Sequence, residues 1–495
     1  MTDGIGSITQ EGEVRTIVDS YVAIHQRAIV NELVQLLSVP NAAADRENAR
    51  KNATLLREML VRRGLRAELL ETAGNPLVYG ELAVPGATST LLVYCHYDGQ
   101  PVDPKGWKQT APFTPVLRDG RLEGGAKEIP GLGTLDRFEP DWRLYARSAS
   151  DDKGPIVALC AALDALKAAG RVPTQNIRVL FDGEEETGSP SMPPVLPRYR
   201  DKLAGDLLVI FDGPQHPTGR PTLVFGASGL LWLELTVYGP QMALHAGHFG
   251  NWAPNPAMRL ARLLASMKDD DGRVLIEGFA DGLKPLTSED EALLAAVPDD
   301  PAVLMRRFGF AAPERPNVSL QQAIQQPSLN IRGLASDLVG AASRDVIPDR
   351  AVAIMDVRLP MGLTSATMVE RIRAHILKQG FHVVAGDPDD QTRATYPRLV
   401  KLEAKERMTP HLTSPEAPAA KRLAAALARA FGEEPVRIRT FGSGLQLGPL
   451  IDMMGAPAVT ICTVNYDNNQ HGDNENVRLG HLFESIVAVV AVLTM

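Results

Sequence analysis

The sequence predicts an α/β fold with a second, inserted layer of strands and helices. Three observations carry that expectation. Short aliphatic runs occur at 90–95 (Thr-Leu-Leu-Val-Tyr-Cys), 177–181, 207–211 and 458–464, and near-continuous apolar runs suit strands covered on both faces. Helical apolar spacing surrounds them, at 17–39, 45–63, 155–169 and 416–431. Between about 226 and 390 the pattern changes. There 231–238 alternates in its second half like a half-exposed strand, 255–268 is helical, and 351–359 and 380–385 are strand candidates.

These patterns divide the chain into 1–226, an inserted part 227–390, and 391–495, where the first sheet resumes. A length of 495 residues independently exceeds one ordinary core. Gly64 supplies a helix stop, and Ser414-Pro415-Glu416 a helix start with a capping serine and proline at the first position. The apolar end, Ile486 to Met495, reads as a buried helix or strand.

Composition excludes several classes. The 51 basic and 59 acidic residues give a net charge of −8. Phosphate binding needs a basic face, so a nucleic-acid partner is disfavoured. Cys95, Cys160 and Cys462 fit neither a metal pattern nor a disulfide framework. That points to a reducing, cytoplasmic compartment. Met1-Thr2-Asp3-Gly4 opens no secretory signal, and no apolar stretch reaches the roughly 20 residues a bilayer span needs.

The acids and histidines carry the chemistry. His96, Asp98, Glu185, Glu186 and Asp212 fall just past strand candidates, and His471 lies beyond the last one. Ligands gather outside the carboxyl ends of strands in open α/β sheets. In His96-Tyr97-Asp98 the residues i and i+2 point the same way. Asp98 can therefore reach the imidazole nitrogen that faces away from a metal; a polar surface turn is the ordinary alternative. Asp151 and Asp152 precede a helix, where capping is the ordinary role, but a carboxylate there could also bridge two cations. Glu184-Glu185-Glu186 after a buried strand is a repulsive triplet that a divalent cation would relieve. Asp212 directly follows Leu-Leu-Val-Ile-Phe, where a buried acid needs a partner. Each has an ordinary reading; all being ordinary at one sheet edge is far harder to accept. Nitrogen and oxygen ligands alone suit zinc, with manganese or cobalt as alternatives. Two cations bridged by a carboxylate would activate a water and polarise a carbonyl. A nearby unligated carboxylate would move the proton.

Tyr94-Cys95-His96-Tyr97-Asp98-Gly99-Gln100-Pro101, Trp107-Lys108, Pro112-Phe113, Ser150 to Pro155 and Glu185-Glu186-Thr187-Gly188-Ser189 resemble the motifs of the co-catalytic zinc peptidases. That family includes carnosinase-like dipeptidases, aminoacylases and glutamate carboxypeptidase, and the carnosinase-like branch is nearest. The resemblance implies a zinc-exopeptidase-like catalytic domain with a mixed, mostly parallel sheet, and an inserted α+β lid through which two copies dimerise. It implies two divalent metals, with His96 and Asp212 on one, Glu186 and His471 on the other, and Asp151 bridging. It implies Glu185 as general base acting on a metal-bridging water, and a cis Asp151–Asp152 peptide. It also implies that His245, in Leu244-His245-Ala246-Gly247-His248, stabilises the oxyanion from its own or a partner subunit. Arg358 corresponds to the arginine for a substrate carboxylate, with Asn330 and Ser443 as polar contacts. A buried structural His245 and a solvent-exposed Arg358 are the ordinary alternatives.

The chain departs from that pattern. About 20 extra residues, roughly Glu123 to Trp142, precede the bridging motif, and long loops of this kind often shape binding sites. Ala146 and Ser148 replace glycines, and Gly444-Leu445 breaks a glycine–serine turn. The reading is hydrolysis of a dipeptide or an N-acyl amino acid. The alternatives are an N-carbamoyl or other amide amidohydrolase and a non-catalytic metal-binding dimer. Gly442-Ser443-Gly444 lacks the elbow of a serine hydrolase.

Overall fold

The computed structural model describes residues 10–108 and 111–495. The N-terminal tetrapeptide read above for a signal lies outside them. In chain order the strands of the two main sheets are β1 (Arg66–Leu70), β2 (Leu77–Leu82), β3 (Thr90–His96), β4 (Asn176–Asp182), β5 (Leu207–Phe211) and β6 (Thr222–Val224). Then follow β7 (Gly229–Tyr238), β8 (Ser328–Ala335), β9 (Arg350–Leu359), β10 (His382–Val384) and β11 (Leu399–Met408). The last are β12 (Val436–Ile438) and β13 (Ala458–Cys462).

The chain forms two compact units. The first is Met1–Gly226, Thr413–Arg439 and Leu445–Met495; the second is Ala227–Leu412 with Thr440–Gly444. The second unit therefore runs past the expected boundary at 390. The reason is β11, which pairs antiparallel with β7 along nearly its whole length and so belongs to the inserted sheet.

The first unit is built on an eight-stranded mixed sheet, in the order β1-β2-β4-β3-β5-β13-β6-β12. Its centre, β4-β3-β5-β13, is parallel. All residues of β5, and all but the first of β3, are buried, as expected of strands covered on both faces. Helices α1 (Gln10–Leu37), α2 (Arg46–Arg62) and α3 (Lys153–Ala168) come from the first segment. In the second unit α4 (Pro256–Ala265) and α5 (Ser365–Lys378) pack on one face of its sheet, around Leu260, Leu263, Met368 and Ile372. That sheet has the order β8-β9-β7-β11-β10. Two helices of the first unit close the chain, α6 (Pro418–Phe431) and α7 (Leu479–Leu493). The apolar C-terminus is thus a helix, buried from Ser485 to Leu493. Helix α6 starts at Pro418, not at Pro415. Either proline could occupy the first turn, and the Ser414 hydroxyl instead accepts from the Glu416 N–H in a local turn. Among the described residues no helix is long and apolar enough to cross a membrane.

Lys153, at the start of α3, is fully buried. Its ammonium donates to the carbonyls of Leu36 (2.8 Å) and Val39 (2.9 Å), at and just past the end of α1. Such carbonyls have no partner within their own helix, so the lysine links α1 to the segment carrying Asp151. Burial holds its pKa well below the usual lysine value. Lys153→Ala leaves a cavity and two carbonyls without that donor, and is expected to lower stability by about 2–5 kcal/mol, measured by denaturant unfolding.

Candidate metal centre

Three neighbouring parallel strands converge on the site. β3 ends at His96, β4 ends at Asp182 just before the turn Glu185–Thr187, and β5 ends at Phe211 beside Asp212. Asp151 and the cis Asp151–Asp152 peptide lie immediately before α3. His471 comes from the loop after β13. That loop has positive φ at Asn469 (56°), His471 (63°) and Asn474 (59°), a conformation uncommon away from glycine.

The five expected ligands come together in two sets that share Asp151. One is His96, Asp151 and Asp212; the other is Asp151, Glu186 and His471; within each set the ligand atoms lie within 4.8 Å of one another. Asp151 Oδ1 is 2.9 Å from His96 Nε2, and Oδ2 is 3.1 Å from His471 Nε2. Glu186 Oε2 is 3.3 Å from His471 Nε2, and Asp212 Oδ2 is 3.9 Å from His96 Nε2. The donors are imidazole nitrogens and carboxylate oxygens only. Two sets meeting at one carboxylate fit a pair of divalent cations.

Asp98 sits at the other imidazole nitrogen. His96 Nδ1 is 3.2 Å from the Asp98 carbonyl oxygen and 3.4 Å from its carboxylate. That carboxylate has a further task, which spacing did not reveal: it accepts the backbone N–H groups of Glu185 and Glu186, each at 3.0 Å. Asp182 supports the same turn, accepting from Glu184 N (3.1 Å), Ser189 Oγ (2.5 Å) and Tyr94 Oη (3.2 Å). Gly183 is required within it, since a Cβ there would stand 2.2 Å from the Tyr97 hydroxyl. Gln100 Nε2 donates to Glu186 Oε2 at 2.7 Å.

Sequence reasoning missed Glu475. It is fully buried. One of its oxygens accepts from Ser150 N (3.1 Å), Ser150 Oγ (3.0 Å) and Asp151 N (3.0 Å). The other accepts from Arg147 Nη1 and Ser148 N, both at 2.9 Å. One carboxylate on the His471 loop thus holds the backbone around Asp151. The available signal was the polar run Asp473-Asn474-Glu475-Asn476 directly after His471. The same loop is held by Arg143, whose guanidinium donates to both Asp467 oxygens (3.0 and 2.9 Å). The extra loop is not structureless. Arg27 donates to the carbonyls of Thr134 and Leu135, and Phe138 N donates to Gln26 Oε1 at 2.8 Å. Its contacts therefore run to α1.

The remaining expected site residues belong to the second unit. Asn330 Nδ2 donates to Asp356 Oδ1 (3.1 Å), and Arg358 Nε lies 3.4 Å from Asp356 Oδ2, so the two share one buried acid. His245 is exposed, which removes the buried structural reading. Its Nδ1 accepts from Gly247 N, and Nε2 stands 3.7 Å from Asp345. Ser443 is exposed in a short bend.

Titration follows from crowding. Burial, then the Asp151 charge, push Asp212 and Glu186 each up to about 7. Burial raises Glu185 well above the usual carboxylate range; His96 opposes this, and Glu186 and Asp212 add to it. The Asp151 hydrogen bond raises His471 to about 9 against burial. Burial opposes ionisation of Asp151, but hydrogen bonds from His471 and His96 prevail and lower it.

The chain belongs to peptidase family M20/M25/M40, whose profile matches residues 130–495. Among curated relatives, the Cys-Gly metallodipeptidase of Schizosaccharomyces pombe is 26% identical over 307 residues, 61% of this chain and 60% of that protein. The alignment with that relative, and with the Candida albicans Cys-Gly metallodipeptidase, thus spans only about three-fifths of their length. The human Beta-Ala-His dipeptidase is 23% identical over 495 residues, 94% of this chain and 90% of that protein. Among solved structures, an M20 family metallo-carboxypeptidase from Sulfolobus solfataricus superposes with a TM-score of 0.76 at 28% identity, covering 94% of this chain and 98% of that one.

Two outcomes are expected. Glu475→Gln places an amide N–H₂ against backbone donors; metal affinity should fall about 10–100-fold, read by competition with a chelator. In metal-free protein, Asp212 and Glu186 are raised to about 7 from unfolded values near 4. Their stabilising contribution is present below the unfolded value and lost as pH rises through 7. His471 acts with the same sign, losing its contribution as pH rises through about 9. The melting temperature of chelator-stripped protein should therefore fall as pH rises through this window, and added zinc should remove the slope.

Proposed function

We propose that this chain hydrolyses the amide bond of a dipeptide, or of an N-acyl amino acid, as a two-metal peptidase. The single observation that carries the reading is the pair of ligand sets sharing Asp151, with Glu185 beside them. When bound, two divalent cations would polarise the scissile carbonyl and acidify a water. His96, Asp151 and Asp212 would hold one, and Asp151, Glu186 and His471 the other. Zinc suits this donor set, with manganese or cobalt as alternatives.

Glu185 is the proposed general base. It takes a proton from the attacking water as the new C–O bond forms, then delivers that proton to the nitrogen as the C–N bond breaks. Its raised pKa in the crowded site suits both directions of transfer. Asp98 positions it through the Glu185 and Glu186 N–H groups. In the second unit, Arg358 and Asn330, held together on Asp356, are proposed to bind the substrate carboxylate, with Ser443 a further polar contact. His245 is exposed and available to donate to the developing oxyanion. The dipeptidase names of the relatives and the presence of Glu185 support hydrolysis over a binding-only scaffold, and support dipeptides over N-carbamoyl compounds.

A homodimer through the second unit is proposed as well. Its edge strand β8 leaves Ile331 and Leu334 exposed, and uncovered apolar edges favour pairing. The three cysteines are free and buried, which supports a reducing, cytoplasmic setting.

Glu185→Gln tests the chemistry. Metal content should persist while kcat on a dipeptide panel falls about 10²–10⁴-fold. A variant that keeps full turnover sinks the assignment; a native protein inactive on every amide favours the scaffold.

A further inference from the structure

Beside Arg358 and Asn330, the second unit carries Trp232, Arg332 and Arg407, which the reading above does not use. Along one row of its sheet, Asn330, Asp356, Trp232 and Lys405 stand opposite one another on β8, β9, β7 and β11. Leu231, Leu233, Met355 and Val357, next to the row's residues in sequence, face the helices; the row itself therefore lies on the opposite face. Two bulges flank it. On β8 the register slips between Ile331 and Gly333, leaving Arg332 as the extra residue. On β11 it slips beside Leu230/Leu231 of β7, leaving Arg407 extra. Bulges re-aim side chains. Here both aim at one ring: the guanidinium carbons of Arg332 and Arg407 each lie 4.5 Å from the Trp232 ring centroid.

The charges on this face are unequal. Lys405 stands in the row, and Arg332, Arg407 and Arg358 lie beside it. The carboxylate within it, Asp356, is already taken by Asn330 and Arg358. Glu234 stands two residues along β7, opposite Glu403, which pairs with Lys401. Arg332 is exposed and forms no ion pair among the described residues. A guanidinium stacked on an indole keeps its N–H groups at the rim, directed sideways. Adjacent strands are about 5 Å apart and alternate residues about 7 Å, so these long side chains and Arg358 can reach two carboxylates of one small molecule.

We propose that Arg332 and Arg407, stacked on Trp232, form a second carboxylate site. It takes the acidic side chain of a substrate whose α-carboxylate is held by Arg358, so that dipeptides ending in Glu or Asp are preferred. This rests on the reading of Arg358 given above and narrows the substrate class.

The test compares Gly-Glu with Gly-Gln, which differ in one charge and hardly in shape. Native protein should show the higher kcat/KM on Gly-Glu. Arg332→Gln/Arg407→Gln should lower the Gly-Glu to Gly-Gln ratio by about 10–100-fold, chiefly through KM. Arg358→Gln should lower kcat/KM on both peptides. An unmoved ratio in the double variant, with Arg358→Gln still impaired on both, overturns the second site alone. An Arg358→Gln variant unimpaired on both overturns the underlying assignment and this inference with it. A measurement on native protein needs no variant to fold: glutarate should bind more tightly than butyrate by calorimetry, and equal affinity counts against the site.

Discussion

Asp151 presents one oxygen to His96 and the other to His471, at 2.9 and 3.1 Å. An ionised carboxylate facing two imidazoles across a buried space costs several kcal/mol of desolvation unless its partners compensate. Here they do, and the compensation extends outward. Glu475 accepts the Asp151 N–H and fixes the backbone before it. Lys153, two residues on, ties the same segment to the end of α1. Arg143 holds Asp467, and with it the His471 loop. The geometry of one acid thus depends on contacts from both ends of the first unit.

The second organising feature is the parallel centre of the large sheet. Because β4, β3 and β5 are adjacent and parallel, residues that follow them in sequence must appear at one edge. Burial first, and repulsion between neighbouring carboxylates after it, push Asp212, Glu186 and Glu185 upward. Asp98 and Asp182 restrain that repulsive turn through backbone N–H groups, not by neutralising it. Charge is left over, and a cation is what such a leftover suits.

Much of this was legible beforehand, for physical reasons. Buried parallel strands are nearly continuous in apolar residues, so 207–211 stands out, and the acid after it stands out with it. Contiguous motifs single out His96, Asp151, Glu185 and Glu186, and position past a strand singles out Asp212 and His471, as the candidate ligands and base. What stayed hidden depended on partners far away in sequence. Nothing in Glu475 announces five donors from 147–151. The strand 399–408, rich in Lys and Glu and largely exposed beyond Leu402, looks like a surface segment until it pairs with β7. That is why the sequence pattern sets the end of the insert near 390 while the contacts carry the second unit to Leu412. Bulges were equally invisible: Arg332 and Arg407 read as strand-face residues until the register slips.

The partnership between Glu475 and the Asp151 segment joins residues 327 apart at its widest serine contact. Contacts of such separation are slow to form, because long loops must close before any gain appears. A chain emerging from the ribosome therefore presents its central strands, and even the whole inserted unit, long before Asp151 has its support. Maturation of this centre is a late event by construction, set by the order of synthesis and not by the strength of any one ligand.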